Sequence, residues 1–370
     1  MAALLSSLVI AVATVGASPA SAAFTDWTVV DAGLNHTCGI RAGRLYCWGD
    51  DGGEQLGNGG GGSSQVPIQI TSATDWKSVS AGGYHTCAIR STGKLYCWGY
   101  DGQGQLGNGA GLSSDVPIQI TSATDWKSVS AGERYTCAIR STGKLYCWGN
   151  DEQGQLGNGP GGSSEVALQI SSATDWKSVS AGQGHTCAIR STGKLYCWGN
   201  DSYGALGNGA GGSSQVPIQI TSAVDWTSVS AGFYHTCAIR SIGKLYCWGS
   251  DGVGELGNGA GGSSTVPIQI TSVTDWKTVS AGTFHTCAIR SNAKLYCWGY
   301  DAQGQLGNGA AGPSQVSVQI TAATDWTSVS AGDSHTCAIR STGKLYCWGD
   351  DTYGQLGNGE AGPSTAPSQI

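Results

Sequence analysis

Several things are missing from this sequence, and each absence excludes something. No stretch of useful length carries apolar residues at helical spacing, which excludes a helical bundle. No basic run appears anywhere and the formal net charge is −6, so wrapping of nucleic acid by phosphate neutralisation is not expected. There is no Gly-Lys-Ser phosphate loop and no Gly-x-Ser-x-Gly elbow, and the glycine-spaced run from Gly207 to Gly212 is followed by Ser-Ser-Gln-Val-Pro rather than by a helix. No apolar run reaches the roughly 20 residues of a membrane span. The apolar run of residues 4–15 is followed by Ala20-Ser21-Ala22, the small-residue pattern of a signal-peptidase site. Residues 1–22 are therefore expected to be a cleaved signal peptide, leaving 23–370 as the mature, secreted chain without a membrane span. That segment holds no charged side chain, so the acidic balance survives its removal.

What the chain does have is a period. Cys87, Cys137, Cys187, Cys237, Cys287 and Cys337 recur every 50 residues, within a motif that reads His-Thr-Cys-Ala-Ile-Arg in nearly every copy. A period of this length signals a propeller, solenoid or array, and seven copies account for the whole mature chain. Fourteen cysteines, two in every repeat, fit an oxidising compartment and agree with export.

Within one repeat, β-type runs at 116–120, 126–131, 135–140 and 144–148 are separated by turn chemistry. Between the last two, Ser141-Thr142-Gly143 is a three-residue hairpin loop with Gly where a left-handed residue is needed. Counting outward from it sets Cys137 opposite Cys147. The first repeat is one residue shorter in this turn, and its Ala42-Gly43 loop sets Cys38 opposite Cys47 as a non-hydrogen-bonded pair. The Cα atoms of such a pair are about 4.5 Å apart, within disulfide geometry. The same register joins Cys87 to Cys97, Cys187 to Cys197, Cys237 to Cys247, Cys287 to Cys297 and Cys337 to Cys347. Each bridge is expected to contribute roughly 2 to 3 kcal/mol of chain entropy. A zinc site is disfavoured, since each repeat offers two thiols nine or ten positions apart and at most one His.

A lone four-stranded sheet of this size buries neither face well, whereas radial packing against neighbours buries both. The expected fold is therefore all-β: a seven-bladed β-propeller with four antiparallel strands per blade. The mature chain starts just before Asp26-Trp27 without a preceding Val-Pro-Ile-Gln-Ile run, and it ends on such a run, residues 366–370, without a successor. The C-terminal strand is accordingly expected to complete the first blade and close the ring.

Trp126, Val129, Ala131-Gly132, Gly143, Leu145-Tyr146, Trp148-Gly149 and Gly154-Gln155-Leu156-Gly157 resemble the repeat of the regulator of chromosome condensation family. The resemblance covers the chain after the signal peptide and implies a seven-bladed propeller. The family's best-known eukaryotic member is a nuclear exchange factor for the GTPase Ran, bound to chromatin. This sequence has no inserted wedge and no basic tail, so those activities are not carried over. It is similar to the secreted bacterial members, among them a propeller that inhibits β-lactamase by covering its active site, and that similarity implies a protein partner.

Two repeated polar positions invite a chemical reading. His36, His85, His185, His235, His285 and His335 occupy one position, but Tyr135 stands in the seventh, so shared hydrogen bonding and packing explain it better than metal or base chemistry. Asp51, Asp101 and their five equivalents follow each Trp-Gly pair by one residue and read as Asx turns rather than as calcium ligands. No metal and no cofactor is expected. No unique acid, base or nucleophile interrupts the symmetry, so the chain is not expected to be an enzyme.

Because the copies are nearly identical, the positions at which they differ carry information. One cluster lies between Ala-Gly and His and includes Leu34, Asn35, Tyr84, Glu133, Arg134, Gln183, Phe233, Tyr234, Phe284, Asp333 and Ser334. The other flanks the Asp after Trp-Gly and includes Tyr100, Tyr203, Tyr300 and Tyr353. Strand parity puts both clusters on one face, while the turns of the opposite face stay almost constant. Aromatic anchors mixed with Ser, Asn, Asp and a single Arg resemble a paratope. The expected function is a secreted non-enzymatic scaffold that presents this face to an extracellular protein. The alternatives are a lectin-like carbohydrate-binding module and a structural surface protein.

Overall fold

The computed structural model describes residues 24–370, so the expected signal peptide lies outside the described residues. These residues form seven separate four-stranded antiparallel sheets. Apart from strands, turns and loops they hold one 3-10 turn, Ser202–Gly204. The first blade consists of Trp27–Ala32, His36–Arg41, Arg44–Gly49 and Ser64–Gln69, each paired with the next. Its first strand lines a central channel where the Ala-Gly pairs of all seven blades meet. Its fourth strand forms the rim, with Val66 half exposed.

All seven expected disulfides are present, with Cys137 and Cys147 paired across their hairpin and Cα atoms 4.1 Å apart. Gly143 adopts the left-handed conformation that the turn requires, with φ 73°.

The phase of the blades and the manner of closure differ from expectation. The Val-Pro run ends a blade instead of beginning one: Tyr46 pairs with Gln69, and Ile70 N–H donates to Leu45 O. The Thr-Ser-Ala-Thr-Asp segment therefore links neighbouring blades, and the Gly-rich connector joins the third and fourth strands of one blade. By the same phase the C-terminal strand, Ser364–Gln369, pairs with Leu345–Gly349 of the seventh blade and does not complete the first.

Packing explains why the ring needs no exchanged strand. Each apolar core sits at a seam between blades rather than within one. Cys87, Ile89, Leu95, Leu106 and Ile120 of the second blade pack against Trp126, Ala138 and Trp148 of the third. The closing seam is built identically, with Ile339, Leu345, Leu356 and Ile370 against Trp27, Val30 and Trp48. Its polar contacts repeat as well: Trp27 N–H donates to Gly343 O at 3.0 Å, as Trp76 N–H does to Gly43 O at 2.9 Å. A chain whose last repeat offers the same surface as every other repeat closes on its first without borrowing a strand.

Candidate partner-binding face

In every blade the first strand rises from the lower face to the upper, the second descends, the third rises and the fourth descends. The upper face therefore carries the Ala-Gly-x-x-His turns and the connectors, and the lower face carries the Ser-Thr-Gly turns and the inter-blade links. A backbone hydrogen bond joins the two variable clusters within each blade. Tyr100 N–H donates to Tyr84 O at 2.9 Å, Asn150 N–H to Arg134 O at 2.9 Å and Tyr300 N–H to Phe284 O at 2.8 Å.

The first variable residue of each turn rings the channel mouth, where Leu34, Glu133, Gln183, Phe233 and Asp333 lie with Gly83 and Thr283. The second, represented by Asn35, Tyr84, Arg134, Tyr234, Phe284 and Ser334, lies beside its connector. The aromatic members are not scattered. Tyr203 meets Tyr234 at 5.3 Å between ring centroids, Tyr234 meets Phe233 at 4.2 Å, Phe233 meets Phe284 at 5.8 Å and Phe284 meets Tyr300 at 6.3 Å. This arc crosses from the fourth blade to the sixth, at spacings that favour edge and offset packing. A second group spans the second and third blades, where Tyr84 meets Tyr100 at 6.5 Å and the Arg134 guanidinium of the third blade lies 5.8 Å from the Tyr84 ring. Tyr203, Tyr353, Tyr100 and Phe284 remain between 59% and 37% exposed. Tyr353 belongs to neither group and stands alone on the seventh blade.

Between the two aromatic groups Gly184 stands where the other blades have Asn, Tyr, Arg, Phe or Ser. Its missing side chain opens a notch of about 300 Å³ walled by Arg134, Asn150, Gln153, Asn200, Phe233 and Tyr234. Neighbouring amides organise its floor: Asn200 Nδ2 donates to Gln153 Oε1 at 3.1 Å and Gln155 Nε2 to Asn150 Oδ1 at 2.6 Å. Sequence reasoning missed Gln153, Gln155 and the notch, because a pocket made by a neighbour's absent side chain leaves no local motif.

The repeated histidines are used inside the ring. His85 Nε2 lies 2.7 Å from Thr136 Oγ1 of the next blade, and His335 Nε2 lies 2.8 Å from Thr37 Oγ1 across the closing seam. Tyr135 meets the same need with its hydroxyl, which donates to His185 O at 2.7 Å and accepts from Thr186 Oγ1 at 3.0 Å. The aspartates after Trp-Gly close the connector over a longer span than an Asx turn: Asp101 Oδ1 accepts from Leu106 N–H at 2.8 Å, five residues on.

These groups oppose one another in acid. Burial holds His36, His85, His235 and His285 down to about 3 and His185 and His335 to about 4, from an ordinary 6.5. An unfolded chain takes up those protons first, so this contribution is intact above pH 6.5 and is lost as pH falls towards 4. Burial raises Asp31, Asp101, Asp251, Asp301 and Asp351 from 3.8 to about 6, so the folded chain takes up their protons first and gains stability between pH 6 and 4. Burial raises Asp51, Asp151 and Asp201 as well, so the six histidines are largely offset and the urea midpoint should change little from about pH 6 to 4. Asp101→Asn with Asp301→Asn should make it fall with acid. A wild-type midpoint that already falls steeply there would show that the carboxylates stay ionised when folded.

The RCC1-like domain family matches residues 12–322, and the regulator of chromosome condensation (RCC1) repeat matches residues 326–355 and 342–370. The chain belongs to the RCC1-like domain family. Among solved structures, this RCC1-like chain is similar to Prp20p of Saccharomyces cerevisiae at 19% identity and a TM-score of 0.78, covering 94% of this chain and 87% of that one. It is likewise similar to human WBSCR16 at 20% identity and 0.79, covering 89% and 94%. The ectodomain of the Arabidopsis thaliana receptor kinase ACR4 aligns at 17% identity and 0.53, covering 88% and 97%. At these identities the likeness speaks for the fold. No curated protein matches the sequence.

Proposed function

We propose that this RCC1-like propeller is a secreted, non-enzymatic scaffold that binds an extracellular protein through its upper face and blocks the partner surface it covers. The observation that carries this reading is that the residues differing between repeats become contiguous in three dimensions, as the arc from Tyr203 to Tyr300. Clustered, half-exposed aromatics beside an Arg are the composition of binding hot spots. Seven buried disulfides and the leader-like N-terminal sequence support secretion. The six histidines are buried and engaged across the seams, which supports a binding role over catalysis. Within the family, Prp20p has binding properties towards Gsp1p and histones.

The test is a pair of multiple substitutions, read as affinity for the protein captured from the native extracellular medium. Changing Tyr84, Arg134, Tyr234 and Phe284 to Ala should weaken binding by several kcal/mol, since hot-spot residues are worth about 2 kcal/mol or more each. Changing Thr92, Thr142 and Thr192 on the lower face to Ala should do almost nothing. The opposite pattern would reject the reading.

The Gly184 notch supports a second reading, in which the upper face takes a carbohydrate. Amides from Asn150, Asn200 and Gln153 beside the Phe233 and Tyr234 rings suit a sugar's hydroxyls and apolar face. Glycan-array binding that a free monosaccharide competes away, and that Gly184→Tyr abolishes, would favour it.

A further inference from the structure

The net charge of −6 conceals a strong separation of charge between the two faces. Of 19 Lys and Arg residues, all but Arg134 lie in the lower half, at the strand ends and turns of that face. Of 25 Asp and Glu residues, seven lie there, from Asp26 to Asp325, and each forms an ion pair with the arginine that ends a second strand. Eighteen cations against seven carboxylates leave the lower half at +11, and one cation against eighteen carboxylates leaves the upper half at −17.

The eleven surplus cations form two concentric sets. One follows each second-to-third-strand turn and consists of Arg44 in the first blade and a lysine in each of the others, from Lys94 to Lys344. The inner set is Lys77, Lys127, Lys177 and Lys277, exposed around the lower mouth of the channel. Among the described residues none of the eleven makes an ion pair. Strands of six residues separate the faces by about 20 Å, more than two Debye lengths at physiological ionic strength, so the acidic face does not cancel this field. A second departure from symmetry lies on the same face. Val224 replaces a Thr of every other repeat, Ile242 replaces a residue that is Thr, or once Asn, in the other repeats with a full-length turn, and the two are 57% and 51% exposed. A hydrogen bond of 2.8 Å from Ser241 N–H to Asp225 O holds their two turns together.

We propose that the lower face docks the propeller on an anionic lipid surface, with the acidic, aromatic upper face turned outward. Coplanar cations match a plane of headgroups better than the line of charges on a linear polyanion. The exposed apolar pair gains by entering a lipid interface and gains nothing on a phosphodiester backbone. This inference does not depend on what the upper face binds.

Sedimentation of the mature protein with vesicles of phosphatidylcholine, with and without phosphatidylglycerol, tests it. Binding is expected to the anionic vesicles alone and should disappear at high salt. Four lower-face substitutions, K94Q, K144Q, K194Q and K244Q, should weaken it at least about 100-fold with an unchanged melting curve. V224T with I242T should weaken it several-fold, and E360Q on the upper face should leave it unchanged. No binding to anionic vesicles at low salt would overturn the proposal. So would binding to duplex DNA or heparin with none to vesicles, which would identify a linear polyanion as the ligand.

Discussion

Protein that has been unfolded and fully reduced is expected not to regain its native melting transition until it is reoxidised. Seven bridges at roughly 2 to 3 kcal/mol each remove more denatured-state entropy than the 5 to 15 kcal/mol by which a domain is ordinarily stable. All fourteen cysteines are fully buried, so reductant added to the folded protein should act slowly and at the rate of unfolding. Two measurements check this: thiol release against time in reductant alone, and the melting curve after reduction in urea and dilution into buffer with and without an oxidant. Native-like melting of the reduced chain would show that the seam cores suffice alone.

Trp148→Ala, like the same change at its six equivalents, should be among the most damaging core substitutions, at about 3 to 5 kcal/mol. Trp148 is fully buried at the seam between the second and third blades. Its indole N–H donates to Gln105 O of the neighbouring blade at 2.9 Å, and its rings pack edge-on against Trp126 at 6.1 Å. Gly107, at φ 75°, lies so close that a Cβ there would stand 2.5 Å from the indole nitrogen, so the neighbouring loop is shaped around this ring. The loss should appear as a lower urea midpoint with an unchanged slope. Trp148→Phe should recover part of it, since a ring remains while the hydrogen bond to Gln105 O is lost. A cost below about 1 kcal/mol for the Ala variant would mean that the seam does not carry the ring's stability.

Much of this architecture is legible in the sequence, for local reasons. Ser141-Thr142-Gly143 fixes a hairpin, the hairpin fixes a register, and the register places Cys137 on Cys147. Strand parity, which needs only the number of strands between two turns, puts Tyr84 and Tyr100 on the same face. The phase of the blades is not legible, because a repeated array has no intrinsic starting point. Whether residues 116–120 pair forward or backward depends on how the Gly-rich connector folds, and its glycines accept many conformations. The notch at Gly184 and the charge separation are hidden for another reason. Their members are about fifty residues apart, as Lys94 and Lys144 are, and meet only when the ring closes.

Hydrogen exchange on the complex with the captured extracellular protein tests the central claim most directly, since it reports which face the partner covers. The account predicts slowed exchange in residues 233–236, 283–286 and 300–306 of the upper face, with the lower turns at 91–94, 141–144 and 241–244 unchanged. Protection confined to the lower turns, with the aromatic arc exchanging as in the free protein, would contradict it.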